Sequence, residues 1–340
     1  NEVAGKAHRR RELVKEQSAR CVCGYVMANA GEGESTADLV FGGHNLIAEN
    51  GTVLAEDRLH TGLTISEIDV DKLAYERRRM NTFPVADKTQ RGGASIDAVE
   101  FEPCETSLTR PIAKNPFLPD DPAEKNSPCE EILQLSALGL KQRLSHAGAK
   151  TAVLGLSGGL DSTLAALICA RALDLLGRKR TDLLCVTMPC FGTTERTKSN
   201  AEVLAERLGA TLRVVDIGAA VKQHFADIGQ DMDNHDVTFE NAQARERTQV
   251  LMDIANQTGG LVVGTGDLSE LALGWCTYNG DQMSMYCVNA SIPKPLVRLV
   301  TAYAAAATED EALAAVLRDI LDTPVSPELL PAKDGRIAQK

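Results

Sequence analysis

The chain has 340 residues, 44% of them hydrophobic and 24% charged, which are the proportions of a folded globular protein with room for two domains, and they exclude a disordered or coiled-coil chain. Its 36 basic and 47 acidic side chains leave a net charge of −11, which excludes a nucleic-acid surface built on bulk positive charge but not a small anion held in a local pocket. No apolar run approaches the roughly 18 residues needed to span a bilayer, so no membrane partner is expected.

The sequence starts at Asn1 without a methionine and runs straight into a charged, helix-favouring stretch at 6–18, as though its N-terminus were cut. The run Arg20-Cys21-Val22-Cys23-Gly24-Tyr25-Val26-Met27 reads as a buried strand. Leu46-Ile47-Ala48-Glu49, Asn50-Gly51 and Thr52-Val53-Leu54-Ala55 read as a hairpin, because both central residues of a type I′ turn need positive φ. A short strand and a charged helix near 71–80 are expected next. Six of the thirteen prolines then fall between Pro103 and Pro128, in a stretch that can continue neither a helix nor a central strand. The division is therefore a first unit over 1–112, a Pro-rich linker over 113–127, and a second unit over 128–340.

The second unit opens with Ser127-Pro128-Cys129-Glu130, a capping serine with proline at the first helical position and glutamate three residues on. That helix should end near Gly148. Strands and helices then alternate: Thr151–Leu156, helix 160–176, Leu183–Met188, helix 197–208, Leu212–Ile217, helix 239–257 and Leu261–Gly264. Apolar strands interleaved with amphipathic helices predict an α/β fold with a mainly parallel, Rossmann-like sheet covered on both faces. Ligands of such sheets bind outside the carboxyl ends of the strands, so chemistry-bearing residues should follow strand ends.

They do. Leu154-Gly155-Leu156-Ser157-Gly158-Gly159-Leu160-Asp161-Ser162-Thr163 follows a strand and opens a helix. Glycines let the backbone wrap an anion, the helix N-terminus offers free N–H groups, and Ser157 and Ser162 add hydroxyl donors. No lysine follows the glycines, so this is not the Gly-x-x-x-x-Gly-Lys-Ser/Thr phosphate loop. A carboxylate beside a polyphosphate is repulsive unless a divalent cation lies between them, so Asp161 predicts magnesium. The nine cysteines form no C-x-x-C pair and the six histidines no close ligand spacing, which predicts a reduced, cytoplasmic protein without structural zinc.

The Ser-Gly-Gly-x-Asp-Ser loop resembles that of the ATP pyrophosphatase (PP-loop) group, whose members bind the pyrophosphate of ATP with it. Downstream, Val263-Gly264-Thr265-Gly266-Asp267-Leu268-Ser269-Glu270-Leu271-Ala272-Leu273-Gly274-Trp275, Tyr278-Asn279-Gly280-Asp281 and Ala290-Ser291-Ile292-Pro293-Lys294 resemble the NAD synthetase signature. Gly31-Glu32-Gly33-Glu34-Ser35-Thr36 and Ile47-Ala48-Glu49-Asn50-Gly51 resemble the C-terminal part of the αββα nitrilase-like glutaminase domain of glutamine-dependent NAD synthetases. The resemblance covers essentially the whole chain. It implies amidation of nicotinic acid adenine dinucleotide (deamido-NAD) to NAD at the expense of ATP, through a nicotinate acyl-adenylate, in a homo-oligomer.

It also implies site residues. Gly155, Leu156, Ser157, Gly158, Gly159, Leu160, Asp161 and Ser162 would hold ATP, with Met188 at the end of the second strand. Thr265, at a strand end, would reach a phosphate, unless it serves as a helix N-cap. Asp161 and Glu270 would hold magnesium, Glu270 being otherwise a solvated helix carboxylate. Lys294 would neutralise the departing pyrophosphate, or else lie on the surface. Asp281 would orient or deprotonate ammonia, the alternative being a turn residue. Asn241, Arg245 and Thr248 form one polar stripe at i, i+4, i+7, with Asn241 and Arg245 towards deamido-NAD or towards solvent. Trp275 and Tyr278 would stack on a pyridine ring, with core packing as the rival.

The Glu, Lys and Cys of a nitrilase-like glutaminase precede the point in the family where this chain begins, so the first unit is expected not to hydrolyse glutamine, and Cys21 and Cys23 are not expected to be nucleophiles. The end at Lys333–Lys340 matches the start of a loop that closes the site in the family. Cys190 and Cys287 stand where family members usually carry glycine. Two other readings remain: another amide-forming PP-loop ligase, and a silent ATP-binding remnant.

Overall fold

The computed structural model describes residues 2–34, 40–59, 62–83, 99–100, 102, 104–105, 107–118, 126–323 and 329–330. Ser35 and Thr36, the linker's Pro119 and Pro122, and the Lys333–Lys340 tail lie outside the described residues. Contacts within the chain divide it into two compact units, Asn1–Lys114 and Asn115–Lys340. All nine cysteines are free thiols, and no helix among the described residues is long and apolar enough to cross a membrane.

In the first unit, helix α1 (Lys6–Cys21) lies against an antiparallel sheet of β1 (Gly24–Met27), β2 (Asn45–Glu49) and β3 (Thr52–Asp57), in that order. The expected strand over Arg20–Met27 is corrected here. The helix runs to Cys21, Val22 turns left-handed at φ 45°, and pairing starts only at Gly24. The N–H groups of Val22 and Cys23 return to Ala19 O and Ser18 O, closing the helix end. Arg77 donates to the Val22 and Cys21 carbonyls, and the Val22 side chain is buried, which together offset a left-handed strain of ~1–2 kcal/mol. The hairpin forms as expected, with Asn50 at φ 43° and Gly51 at φ 86°. Helix α2 (Val70–Arg79) follows with Asp69 as its N-cap, and no strand lies between β3 and α2 among the described residues.

What ties this unit together is Glu49, at the end of β2 and only 2% exposed. Its carboxylate accepts two hydrogen bonds from Arg110, at 2.9 and 3.1 Å, and one from the Asp69 N–H at 2.6 Å. The sheet, the start of α2 and the segment around Arg110 are thus pinned at one point.

In the second unit, α3 (Asn126–Ala147) carries Pro128 in its first turn. Then come β4 (Ala152–Gly155), α4 (Leu160–Leu175), β5 (Leu183–Thr187), α5 (Glu195–Leu208) and β6 (Thr211–Val214). The chain continues through α6 (Gly218–Ile228), α7 (Val237–Thr258), β7 (Leu261–Gly264), α8 (Leu268–Leu273), β8 (Tyr286–Cys287), α9 (Lys294–Ala307) and α10 (Glu311–Asp322). The five strands pair in parallel in the order β6-β5-β4-β7-β8.

Alternate strand residues enter two different cores, which is why these strands read as unbroken apolar runs. Ala152, Leu154, Cys185 and Val263 pack with α3, α4, α5, α9 and α10 on one face, while Val153, Val186 and Val262 pack with α6 and α7 on the other. Helix α4 is buried around most of its circumference, as its Leu/Ala-rich sequence requires. From β6 the chain returns through α6 and α7 to place β7 on the far side of β4. The connections after β4 and β7 therefore leave the sheet in opposite directions and open a crevice at the strands' carboxyl ends.

Replacing Arg110 by methionine should destabilise the first unit by ~2–3 kcal/mol, because the buried Glu49 loses both guanidinium hydrogen bonds and keeps only the more distant Lys72, at 3.8 Å, as a cation. Burial alone would raise the Glu49 pKa, but Arg110 and the Asp69 N–H outweigh it and hold it below the usual carboxylate value. The pair's contribution is present above pH ~4.5 and lost as pH falls through the lowered value. Urea unfolding of both proteins should therefore show a gap that closes on acidification; a gap independent of pH would contradict this assignment.

Candidate active site

The loop from β4 into α4 is built for close approach. Leu156 N–H donates to Val186 O, holding the loop against β5. Gly158 has φ 81°, and a Cβ there would overlap the Thr197 carbonyl of α5, so no larger residue fits without displacing that helix. Ser157 Oγ lies 3.0 Å from Ser162 Oγ and accepts the Gly159 N–H at 3.2 Å. The Ser162 and Thr163 hydroxyls both donate to Gly159 O. No side chain caps α4, so the N–H groups of its first turn are available to an anion. Leu156 and Leu160 are buried, and Met188 is 8% exposed with its terminal methyl near Gly155, so all three side chains pack inside rather than into open solvent.

Across the crevice, β7 ends at Gly264 and Asp267 starts α8. Asp267 is fully buried: its Oδ1 accepts the Glu270 N–H at 2.8 Å while Glu270 Oε2 accepts the Asp267 N–H at 3.2 Å. The capping role that sequence left open for Thr265 belongs to Asp267. Thr265 stays at the strand end, half-buried.

Lys294 is the first residue of α9, a position where a cation opposes the helix dipole. Three carboxylates compensate. Its Nζ lies 2.7 Å from Asp161 Oδ2, 2.8 Å from Asp267 Oδ2 and 3.2 Å from Glu270 Oε1, while its backbone N–H donates to Ser269 Oγ. Burial disfavours the ammonium, but these carboxylates outweigh it and the Lys294 pKa rises. Burial pushes Asp161 and Glu270 upward, with Lys294 opposing. Oxygens of Asp161, Asp267 and Glu270 all lie within 4.8 Å of one another, and Asp161 Oδ1 is buried without a hydrogen-bond partner. That donor set suits a hard divalent cation.

Asn289, fully buried after β8, clamps the two loops: its Nδ2 donates to Asp161 O and to Thr265 O, each at 3.0 Å. Sequence reading missed Asp267 and Asn289. The Asp-x-x-Glu spacing of a capping box was available for Asp267, whereas nothing local marks Asn289.

The remaining expected residues meet at a neighbouring loop. Asn241 Oδ1 accepts from Thr277 Oγ1 at 2.7 Å and Arg245 Nε donates to Tyr278 O at 3.2 Å, so both face the 275–281 segment. Thr248 instead donates to Ala244 O within α7. Asp281 Oδ1 accepts the N–H groups of Thr277 and Gln282, so the carboxylate does organise a turn. Trp275 and Tyr278 are 75% and 73% exposed, which excludes the core-packing alternative for both. The Trp275 N–H donates to Glu270 O, linking this loop to the end of α8. Cys190 places its N–H on Thr193 Oγ1, and the Cys287 thiol donates to Gly266 O. Cys21 accepts from Gln17, and Cys23 lies beside Cys21 and Arg77.

Substituting leucine for Asn289 should remove both clamps, with a loss of ~1–3 kcal/mol. Hydrogen exchange should then accelerate in 157–163 and 265–270 together. Unchanged exchange in either loop would show that the clamp does not couple them.

Comparison with known proteins adds the following. Residues 132–309 match a family model described as NAD synthase. A glutamine-dependent NAD(+) synthetase of Mycobacterium leprae is 44% identical over 347 residues, covering 97% of this chain and 51% of that protein. Its counterpart in Mycobacterium tuberculosis (strain H37Rv) is 43% identical, covering 98% of this chain and 51% of its own. The chain thus spans about half the length of the curated relatives it matches. A solved glutamine-dependent NAD+ synthetase from Acinetobacter baumannii, in complex with adenosine diphosphate, shares the fold with a TM-score of 0.52 at 24% identity, over 93% of this chain and 52% of that one.

Proposed function

The chain belongs to the NAD synthase family, and from that premise we propose that its second unit amidates deamido-NAD to NAD, converting ATP to AMP and pyrophosphate. The observation that carries this reading is the crevice between β4 and β7, where the Ser157–Ser162 loop faces the carboxylates and Lys294.

ATP would lie with its phosphates on the N–H groups of Gly158–Ser162 and the hydroxyls of Ser157, Ser162 and Thr265. Asp161, Asp267 and Glu270 would hold magnesium, which supplies charge neutralisation on the phosphates when bound. The nicotinate carboxylate attacks the α-phosphorus, a carboxylate–phosphorus bond forms, and the bond to pyrophosphate breaks. Lys294 takes up the charge that develops on the leaving pyrophosphate. Ammonia then attacks the acyl carbon and AMP leaves with the carboxylate oxygen. AMP makes a good leaving group of an otherwise inert carboxylate oxygen.

Asn241 and Arg245 brace the 275–281 loop, which supports reading it as the deamido-NAD site. Trp275 and Tyr278 are exposed there to stack on a pyridine ring. Asp281 holds the loop through Oδ1, and its other oxygen would take a proton from the incoming ammonium. The first unit would be the C-terminal part of an αββα glutaminase domain, joined through a linker at 113–127. In a longer cytoplasmic homo-oligomer, glutamine would supply the ammonia. On this chain the thiols of Cys21 and Cys23 adjoin Gln17 and Arg77 rather than a Lys–Glu pair, so ammonia should come from solution.

The test is NAD formation from ATP, magnesium and deamido-NAD, with ammonium in one reaction and glutamine in another. NAD is expected with ammonium alone, and Asp161→Asn or Lys294→Met should lower kcat by about 10²–10³-fold. NAD from glutamine would overturn the reading of the first unit. ATP binding without NAD in either reaction would leave a silent nucleotide-binding module.

A further inference from the structure

The three carboxylates already hold a cation, and it is part of the chain. Lys294 Nζ reaches one oxygen each of Asp161, Asp267 and Glu270 within 3.2 Å. Two of these contacts are hydrogen bonds, to Asp161 Oδ2 and Glu270 Oε1, while Asp267 Oδ2 is met by charge alone and is left without a hydrogen bond. One positive charge nevertheless faces three negative ones, and Asp161 Oδ1 stays buried without a partner. The cluster is thus occupied but short of charge. A divalent cation brings twice the charge and can take up oxygens the ammonium leaves bare.

We propose that Lys294 is the resident cation of this cluster, that a divalent ion enters by displacing its ammonium, and that the displaced ammonium is what meets the phosphates. The proposal rests on reading the cluster as the divalent-cation site. Metal loading then arms the lysine. Before loading its charge is spent on the carboxylates, and afterwards it is free to turn towards the phosphate loop. The backbone is suited to such a swing. The Lys294 N–H is fixed to Ser269 Oγ, with Pro293 before it and Pro295 after it, so the movement is confined to the four-carbon side chain. Asp267 cannot follow, because its Oδ1 is committed to the α8 cap and it is fully buried. The cluster therefore keeps its shape while its cation changes.

The role makes Lys294 a competitor of the metal in the nucleotide-free protein, which a purely phosphate-binding lysine would not be. Manganese(II) binding to the full chain without nucleotide, followed by the electron paramagnetic resonance of the free ion, reads this directly. Lys294→Met should bind manganese at least tenfold more tightly than the wild type. Lys294→Arg keeps the charge at the cluster and should bind it no more tightly than the wild type. If Lys294→Met binds equally or more weakly, the displacement is wrong. Should Lys294→Met not fold, Asp267→Asn with and without Lys294→Met gives the same comparison with one opposing charge removed, and a tenfold gain from losing the lysine is again expected. The measurement uses no substrate, so a wild type that makes no NAD would defeat the proposed function and leave this result standing.

Discussion

One ammonium among three carboxylates holds the crevice in shape. Asp161 comes from the first turn of α4, Asp267 and Glu270 from the cap of α8, and Lys294 from the first residue of α9. More than a hundred residues of chain separate Asp161 from the others, so nothing local brings these groups together. Left unpaired, each would be a buried or half-buried charge with several kcal/mol of desolvation against it. Together they fix three helix starts to one another. Asn289 adds a neutral clamp beside them, joining the backbone at Asp161 to that at Thr265.

That arrangement depends on the sheet. The order β6-β5-β4-β7-β8 sends the connections after β4 and β7 apart, so two helix N-termini flank one opening. Helix dipoles pointing into a shared crevice favour anions. The carboxylates would repel those anions, and only a cation between them resolves the conflict. Lys294 supplies such a cation among the carboxylates, and in the proposed reading a divalent ion does so beside the polyphosphate. Gly158 enforces the geometry from below, since its backbone lies against the Thr197 carbonyl of α5.

The parallel sheet was legible because its strands are short apolar runs separated by helices with a clear buried stripe, and β7 falls on Leu261–Gly264 as expected. What escaped was short or irregular. Helix α8 has six residues and β8 two, below the length at which periodicity can be read. The stretch around Val22 misled because Val, Cys and Tyr favour strands, while a left-handed turn capped by Arg77, distant in sequence, decides the local structure. Of the site, the Ser-Gly-Gly loop and Asp161 followed from chemistry. Asp281 organises a turn through Oδ1, one of the two roles its Tyr-Asn-Gly context allowed, with its other oxygen outside those two bonds. Asn289 was invisible, because a buried asparagine joining two distant carbonyls leaves no mark in its neighbours' identities.

The central claim is that the crevice activates a carboxylate by transferring AMP to it. Deamido-NAD labelled with oxygen-18 in the nicotinate carboxylate tests this most directly, with ATP, magnesium and ammonium present and the products analysed by mass spectrometry. The account predicts one labelled oxygen in AMP and none in pyrophosphate. Label in pyrophosphate or inorganic phosphate, or NAD formed with unlabelled AMP, would contradict it.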